Sequence, residues 1–148
     1  MELWVEKYRP TTLDGYVGNE VIKNKIEDYL KQGSIQNLLL HGVAGTGKTT
    51  LAKLLVKNID CDYLYINASD ERGIDTIREK IQPFALSMGF NDVKIVILDE
   101  ADYLTPQAQA TLRHTIEACS ATTRFILTCN YLERIISPLQ SRCQTFEI

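Results

Sequence analysis

The chain has 148 residues, 45% of them hydrophobic and 24% charged, with a net charge of −3. That is an ordinary globular composition, long enough for one domain that buries roughly two-thirds of its unfolded surface. It excludes a strongly basic coat for nucleic acid, and no apolar run approaches the roughly 18 residues a membrane span needs. Met1-Glu2-Leu3-Trp4-Val5-Glu6-Lys7 lacks the basic-then-apolar layout of a secretory signal, so a cytoplasmic setting is expected, or a nuclear one in a eukaryote. Cys61, Cys119, Cys129 and Cys143 form no C-x-x-C pair, which points to reduced, mostly buried thiols and to neither a zinc site nor a redox motif.

Residues 1–18 read as a polar, turn-rich leader containing Tyr8-Arg9-Pro10 and Asp14-Gly15-Tyr16-Val17-Gly18. A helix is predicted next, with Asn19 as its N-cap and Val21, Ile22, Ile26, Tyr29 and Leu30 on one face. Apolar strands and helices then alternate. Strands are predicted near 37–41, 63–67, 93–98, 124–129 and 143–148, and helices near 48–58, 74–88, 105–118 and 135–140. Continuous apolar runs such as Val93-Lys94-Ile95-Val96-Ile97-Leu98 suit a parallel sheet covered on both faces. The third of these helices has Thr105 as N-cap, Pro106 at its first position, and Ala108, Leu112 and Ile116 four apart. The pattern is that of a single doubly wound α/β domain.

Gly42-Val43-Ala44-Gly45-Thr46-Gly47-Lys48-Thr49 fits the phosphate-cradling loop G-x-x-x-x-G-K-[ST] at every fixed position. It lies between the strand Leu38–His41 and the helix that continues from Thr50, as such a loop must. By average residue usage, a chance match in a chain this long is on the order of one in a few hundred, so the loop is read as functional. Glycines let backbone N–H groups turn toward phosphate oxygens, and the helix N-terminus adds its positive end. Lys48 is expected on the β- and γ-phosphates and the Thr49 hydroxyl on Mg²⁺, with Thr50 beside them.

Ile95-Val96-Ile97-Leu98-Asp99-Glu100 is an apolar strand ending in two carboxylates. In a P-loop ATPase the first acid at this position, here Asp99, holds the metal, and the second, Glu100, activates the attacking water. Asp99-Glu100-Ala101-Asp102 also spells a helicase tetrad, and Ser120-Ala121-Thr122 a second helicase motif. That triplet here precedes a strand rather than following one, and no second motor domain is present, so the helicase reading is set aside. Asn130 ends the next strand, where a polar side chain can orient water or sense the γ-phosphate.

The leader Trp4-Val5-Glu6-Lys7-Tyr8-Arg9-Pro10 with Val17-Gly18-Asn19-Glu20 is similar to the opening of replication factor C small subunits. So are Asn67-Ala68-Ser69-Asp70-Glu71-Arg72-Gly73-Ile74-Asp75, Asp99-Glu100-Ala101-Asp102 and Ser141-Arg142-Cys143, in that order. The chain thus resembles the small-subunit family of sliding-clamp loaders, in the AAA+ class of P-loop NTPases. The resemblance implies a three-layer domain with a five-stranded parallel sheet, and an ATPase that opens a sliding clamp and loads it on primer–template DNA with other loader subunits in a ring. It implies that Arg142 reaches the ATP of a neighbouring subunit. It also implies that Val5, Tyr8, Arg9, Pro10, Val17 and Gly18 lie on the adenine side of the nucleotide. Arg72, Arg78 and Lys80 become the candidate DNA contacts, and the helix over 106–118 the candidate clamp-facing element, with Arg113 as a relay. Family members continue into a helical lid and a collar that this sequence does not contain. Residues 1–148 therefore read as the nucleotide-binding core alone, weak or inactive in turnover by itself. The alternatives are another AAA+ DNA remodeller, such as a branch-migration motor, and a nucleotide-binding interface module.

Overall fold

Five short runs pair into one sheet whose two faces are sorted by residue parity. The computed structural model describes residues 37–43, 45, 47–57, 61–87 and 93–148. Within them β1 is Leu38–His41, β2 Asp62–Asn67, β3 Lys94–Asp99, β4 Thr123–Cys129 and β5 Gln144–Glu147. Their order across the sheet is β2-β3-β4-β1-β5, and every pairing is parallel. Parallel neighbours require crossovers, which place helices on the faces. The chain leaves β1 toward β2 on one side and leaves β4 toward β5 on the other. The connections therefore diverge between the C-terminal ends of β1 and β4, and a crevice opens there.

Successive strand side chains point to opposite faces. Leu38, Leu40, Ile95, Ile97 and Ile126 pack against Leu51, Leu54 and Leu55 of α1, Lys48–Lys57. Leu39, Ile66, Val96, Leu98, Phe125 and Leu127 face the other way, onto Ile77 and Ile81 of α2, the helical segment over 74–86, and onto Ala108, Leu112 and Ile116 of α3, Pro106–Ala118. The predicted cap of α3 is present: Ala108 N–H donates to Thr105 Oγ1 at 3.1 Å. A short α4, Ser137–Gln140, leads into β5.

The helix expected over 74–88 is instead a composite over 74–86. Ile74–Thr76 is α-helical, Ile77–Ile81 is a π-helical turn and Gln82–Leu86 is α-helical again. Pro83 supplies a physical reason. It has no N–H, and its ring crowds the carbonyl four residues back, a conflict that one wider turn relieves.

Buried Gln109 ties α3 to the segment that leads toward α4. Its Nε2 donates to Leu104 O at 3.2 Å and Arg134 O at 2.9 Å, and its Oε1 accepts from Ile136 N–H at 2.8 Å. Gln109→Leu keeps the volume but strands an N–H and two carbonyls. We expect it to cost about 2–3 kcal/mol, read as a lowered urea midpoint at unchanged m-value.

Candidate functional site

Parity brings four side chains together on the α1 face at the C-terminal end of the sheet. In β3 that face carries Ile95, Ile97 and then Asp99, and in β4 Ile126 and then Thr128. Tyr65 of β2 stands opposite Ile97. Because α1 begins at Lys48, its second residue reaches the same spot. Thr49 Oγ1 donates to Asp99 Oδ1 and Oδ2 at 2.9 and 3.1 Å. Thr128 Oγ1 donates to Oδ1 at 2.5 Å, and Tyr65 Oη to Oδ2 at 2.6 Å. Asp99 is 6% exposed, so these hydroxyls stand in for the water that burial removes.

The phosphate loop is rooted beside them. Gly42 N–H donates to Cys129 O at 3.2 Å, fastening the loop to the end of β4. Gly45 and Gly47 have φ of 85° and 92°, a backbone region where a Cβ is strained even though nothing lies within 4 Å of one at Gly45. Lys48 is buried, and its Nζ donates to Gly42 O at 2.9 Å and Val43 O at 2.8 Å. Burial lowers its pKa, opposed by the nearby carboxylates of Asp99, Asp102 and Glu100.

Glu100 is the one non-glycine residue with positive φ among the described residues, at φ 56°, ψ 48°. Its N–H is held by Thr128 Oγ1 at 3.0 Å, and its carbonyl accepts from Tyr103 N–H at 3.0 Å. The left-handed conformation costs about 1–2 kcal/mol and turns the carboxylate away from the direction strand parity would give it. Asn130 is placed by Asp102, whose buried Oδ2 accepts from Asn130 N–H at 3.3 Å and Tyr131 N–H at 3.1 Å.

Together these groups line a cleft of about 330 Å³ that includes Gly45, Gly47, Lys48, Thr49, Thr50, Asp99, Glu100, Thr128 and Asn130. An ammonium and a helix N-terminus on one side, with hydroxyl and carboxylate oxygens on the other, fit a phosphate chain with its magnesium.

Residues 38–148 match the family model described as the ATPase family associated with various cellular activities (AAA). The chain belongs to the AAA family. It is 50% identical to the replication factor C small subunit of Natronomonas pharaonis over 98% of this chain and 46% of the relative. The replication factor C small subunit of Archaeoglobus fulgidus is 48% identical, over 98% of this chain and 48% of the relative. The chain thus spans about half the length of the curated relatives it matches. Among solved structures, the Thermotoga maritima RuvB Holliday junction branch migration motor superposes with a TM-score of 0.78 at 23% identity, covering 95% of this chain and 48% of that one. At that identity the likeness is one of fold. The AAA match and the five-stranded parallel sheet bear out the expected fold class.

Arg142 does not line the nucleotide cleft of its own chain. It sits just before β5, at the N-terminal end of the sheet, on a separate cavity of about 400 Å³ shared with Asn37, Ser120, Arg124 and Gln144. Its guanidinium lies 2.5 Å from Glu117 Oε1, which also takes Arg113 at 3.3 Å. Of the candidate DNA contacts, Arg72 stacks on the Tyr103 ring at 4.9 Å and donates to Ser69 O, Lys80 pairs with Glu71, and Arg78 is exposed. Val5, Tyr8, Arg9, Pro10, Val17 and Gly18, with the helix predicted after Asn19, lie outside the described residues, as do Ala44 and Thr46 of the loop. No described helix is long and apolar enough to cross a membrane.

Sequence reasoning missed Tyr65, Thr128 and the positioning role of Asp102. Each is a single polar residue whose partner lies on another element, so only strand register exposes it. All four cysteines are free, and Cys119 and Cys129 are buried. Burial pushes the Cys129 thiol up to about 12, with the Asp102 charge adding to it, and burial alone pushes Cys143 up to about 12. Against the ordinary value of 9.0, both thiolates are roughly a thousandfold depleted near pH 8. Iodoacetamide is therefore expected to alkylate Cys129 and Cys143 ~1,000-fold slower than a free thiol, followed by peptide mass spectrometry. Rapid labelling of Cys129 would show that the core between the sheet and α3 opens.

Proposed function

We propose that this chain is the ATP-binding and hydrolysing core of a sliding-clamp loader subunit. The observation that carries the proposal is the separation of Arg142 from its own chain's nucleotide cleft, joined to about 50% identity with replication factor C small subunits. Arg124, at the start of β4, lines the cavity of Arg142, and Asn130, just past its end, lines the cleft. At roughly 3.3 Å per residue the two sites are about 20 Å apart, farther than a side chain reaches. An arginine so placed is out of reach of its own chain's nucleotide, and in this reading it serves one held by another subunit.

In this reading Lys48, the loop amides and the α1 N-terminus bind and orient the phosphates. Thr49 and Asp99 hold magnesium, which neutralises charge on the β- and γ-phosphates when bound. Glu100, held in its left-handed turn, takes a proton from the attacking water, and Asn130 orients that water. Arg142 of the adjacent subunit stabilises charge on the transferring group. Its pairing with Glu117 is half-exposed and worth about 0–1 kcal/mol, so it is readily exchanged for a phosphate. Residues 1–18 form the adenine side and residues 19–148 the core. The partners are other loader subunits, the sliding clamp and primer–template DNA, the last met by Arg72, Arg78 and Lys80. A branch-migration motor is less well supported, because the likeness to RuvB is confined to the fold.

Two substitutions separate the parts. Lys48→Ala is expected to weaken binding of a fluorescent ATP analogue by at least ~100-fold. Arg142→Ala is expected to leave that binding within twofold while abolishing turnover stimulated by clamp and primed DNA. Equal loss of binding in Arg142→Ala would contradict action on a neighbour's nucleotide.

A further inference from the structure

Two of the three hydroxyls on Asp99 come from the elements that build the cleft, Thr49 from α1 and Thr128 from β4. The third comes from the edge strand. Tyr65 stands two residues before Asn67, which is the residue opposite Asp99. Bridging that offset takes a side chain about 6.6 Å long, the rise of two strand residues, and a tyrosine ends in a donor at that reach. The outer side of its ring is covered by Lys53, whose ammonium lies 5.0 Å from the ring centre. Lys53 is one helical turn beyond Thr49, so the same face of α1 supplies a donor to Asp99 and a clamp on the tyrosine. Although the residue is 37% exposed, its hydroxyl is committed to Asp99 Oδ2 at 2.6 Å.

The geometry is that of a second layer around a metal ligand. Thr49 and Thr128 meet at Oδ1, while Oδ2 is shared by Thr49 and Tyr65. Without Tyr65 the carboxylate loses its only donor from the β2 side among the described residues, and Oδ2 is left to Thr49 Oγ1, which it shares with Oδ1, so the plane is held less firmly about χ2. We propose that Tyr65 is a positioning residue for magnesium: its hydroxyl fixes the plane of the Asp99 carboxylate so that the metal of Mg-ATP meets a preset oxygen. The inference rests on the Mg-ATP reading of the cleft. Two effects oppose each other. Removing a donor leaves more charge on the Asp99 oxygens for a cation to meet, but outer-layer partners of metal ligands typically contribute 10–100-fold to metal affinity through orientation. Orientation therefore dominates.

The test is equilibrium binding of a fluorescent ATP analogue, in EDTA and across a Mg²⁺ titration, for the unsubstituted chain, Tyr65→Phe and Lys53→Met. Tyr65→Phe is expected to keep its affinity in EDTA within twofold and to need about tenfold more Mg²⁺ for half-maximal enhancement of binding. Lys53→Met, which loosens the ring but leaves the hydroxyl, is expected to show a smaller rise in the same direction, and it carries the test if Tyr65→Phe does not fold. An unchanged Mg²⁺ requirement in both variants would overturn the proposal. So would an equal loss of affinity with and without metal, which is the mark of a ring that only packs. An unsubstituted chain that binds the analogue tightly but takes no benefit from Mg²⁺ would overturn the metal role alone. Failure of the unsubstituted chain to bind the analogue at all would overturn the nucleotide reading and this inference together.

Discussion

The buried carboxylate of Asp99 is the constraint on which the rest of the site depends. A charge 6% exposed must recover in hydrogen bonds what it loses in hydration, and it does so with hydroxyls from α1, β2 and β4. Those bonds set the geometry of everything around them. They hold the first turn of α1 against the end of β3, which fixes where Lys48 and the loop glycines stand. Through Thr128, which also accepts the Glu100 N–H, they stabilise the left-handed turn that directs Glu100 into the cleft. A second buried acid, Asp102, does the same for Asn130 by accepting the two N–H groups that follow β4. Strand parity makes this convergence possible, because residues alternate faces and the acid of β3 emerges on the side where α1 begins.

The parallel sheet also separates the functions by direction. All C-terminal strand ends lie on one side, so the phosphate loop, the carboxylates and Asn130 gather there. All N-terminal ends lie on the other, so a residue preceding β5 is placed at the far side of the domain. Arg142 is such a residue. A ring in which the C-terminal face of one subunit meets the N-terminal face of the next would bring the two half-sites together. Chemistry would then depend on assembly rather than on nucleotide binding alone.

Much of this was legible from the amino acids. The strands appear as apolar runs, the cap of α3 as Thr105 before Pro106, and the cleft as Gly42–Thr49 followed by Asp99-Glu100. These are local signals, in which spacing along the chain carries the chemistry. Tyr65, Thr128 and Asp102 were not legible, because each acts on a group brought near only by pairing between strands or by a loop folding back. Tyr65 in particular reads as an ordinary half-buried strand aromatic until the β2–β3 register sets it two residues behind Asp99. The π-helical turn was missed for a related reason: the cost of Pro83 is visible in the sequence, but whether it breaks the helix or widens one turn is decided by the packing of Ile77 and Ile81.

Complementation between two inactive variants tests the central claim, that one subunit's cleft is completed by another's Arg142, most directly. Lys48→Ala subunits retain Arg142 but lack a working cleft, and Arg142→Ala subunits have the reverse defect. Mixed with a sliding clamp and primed DNA, they are predicted to recover ATP turnover that neither shows alone, with a maximum near equal proportions. Arg142→Ala subunits that turn over ATP at the unsubstituted rate by themselves, or mixed assemblies that form and stay inactive, would contradict it.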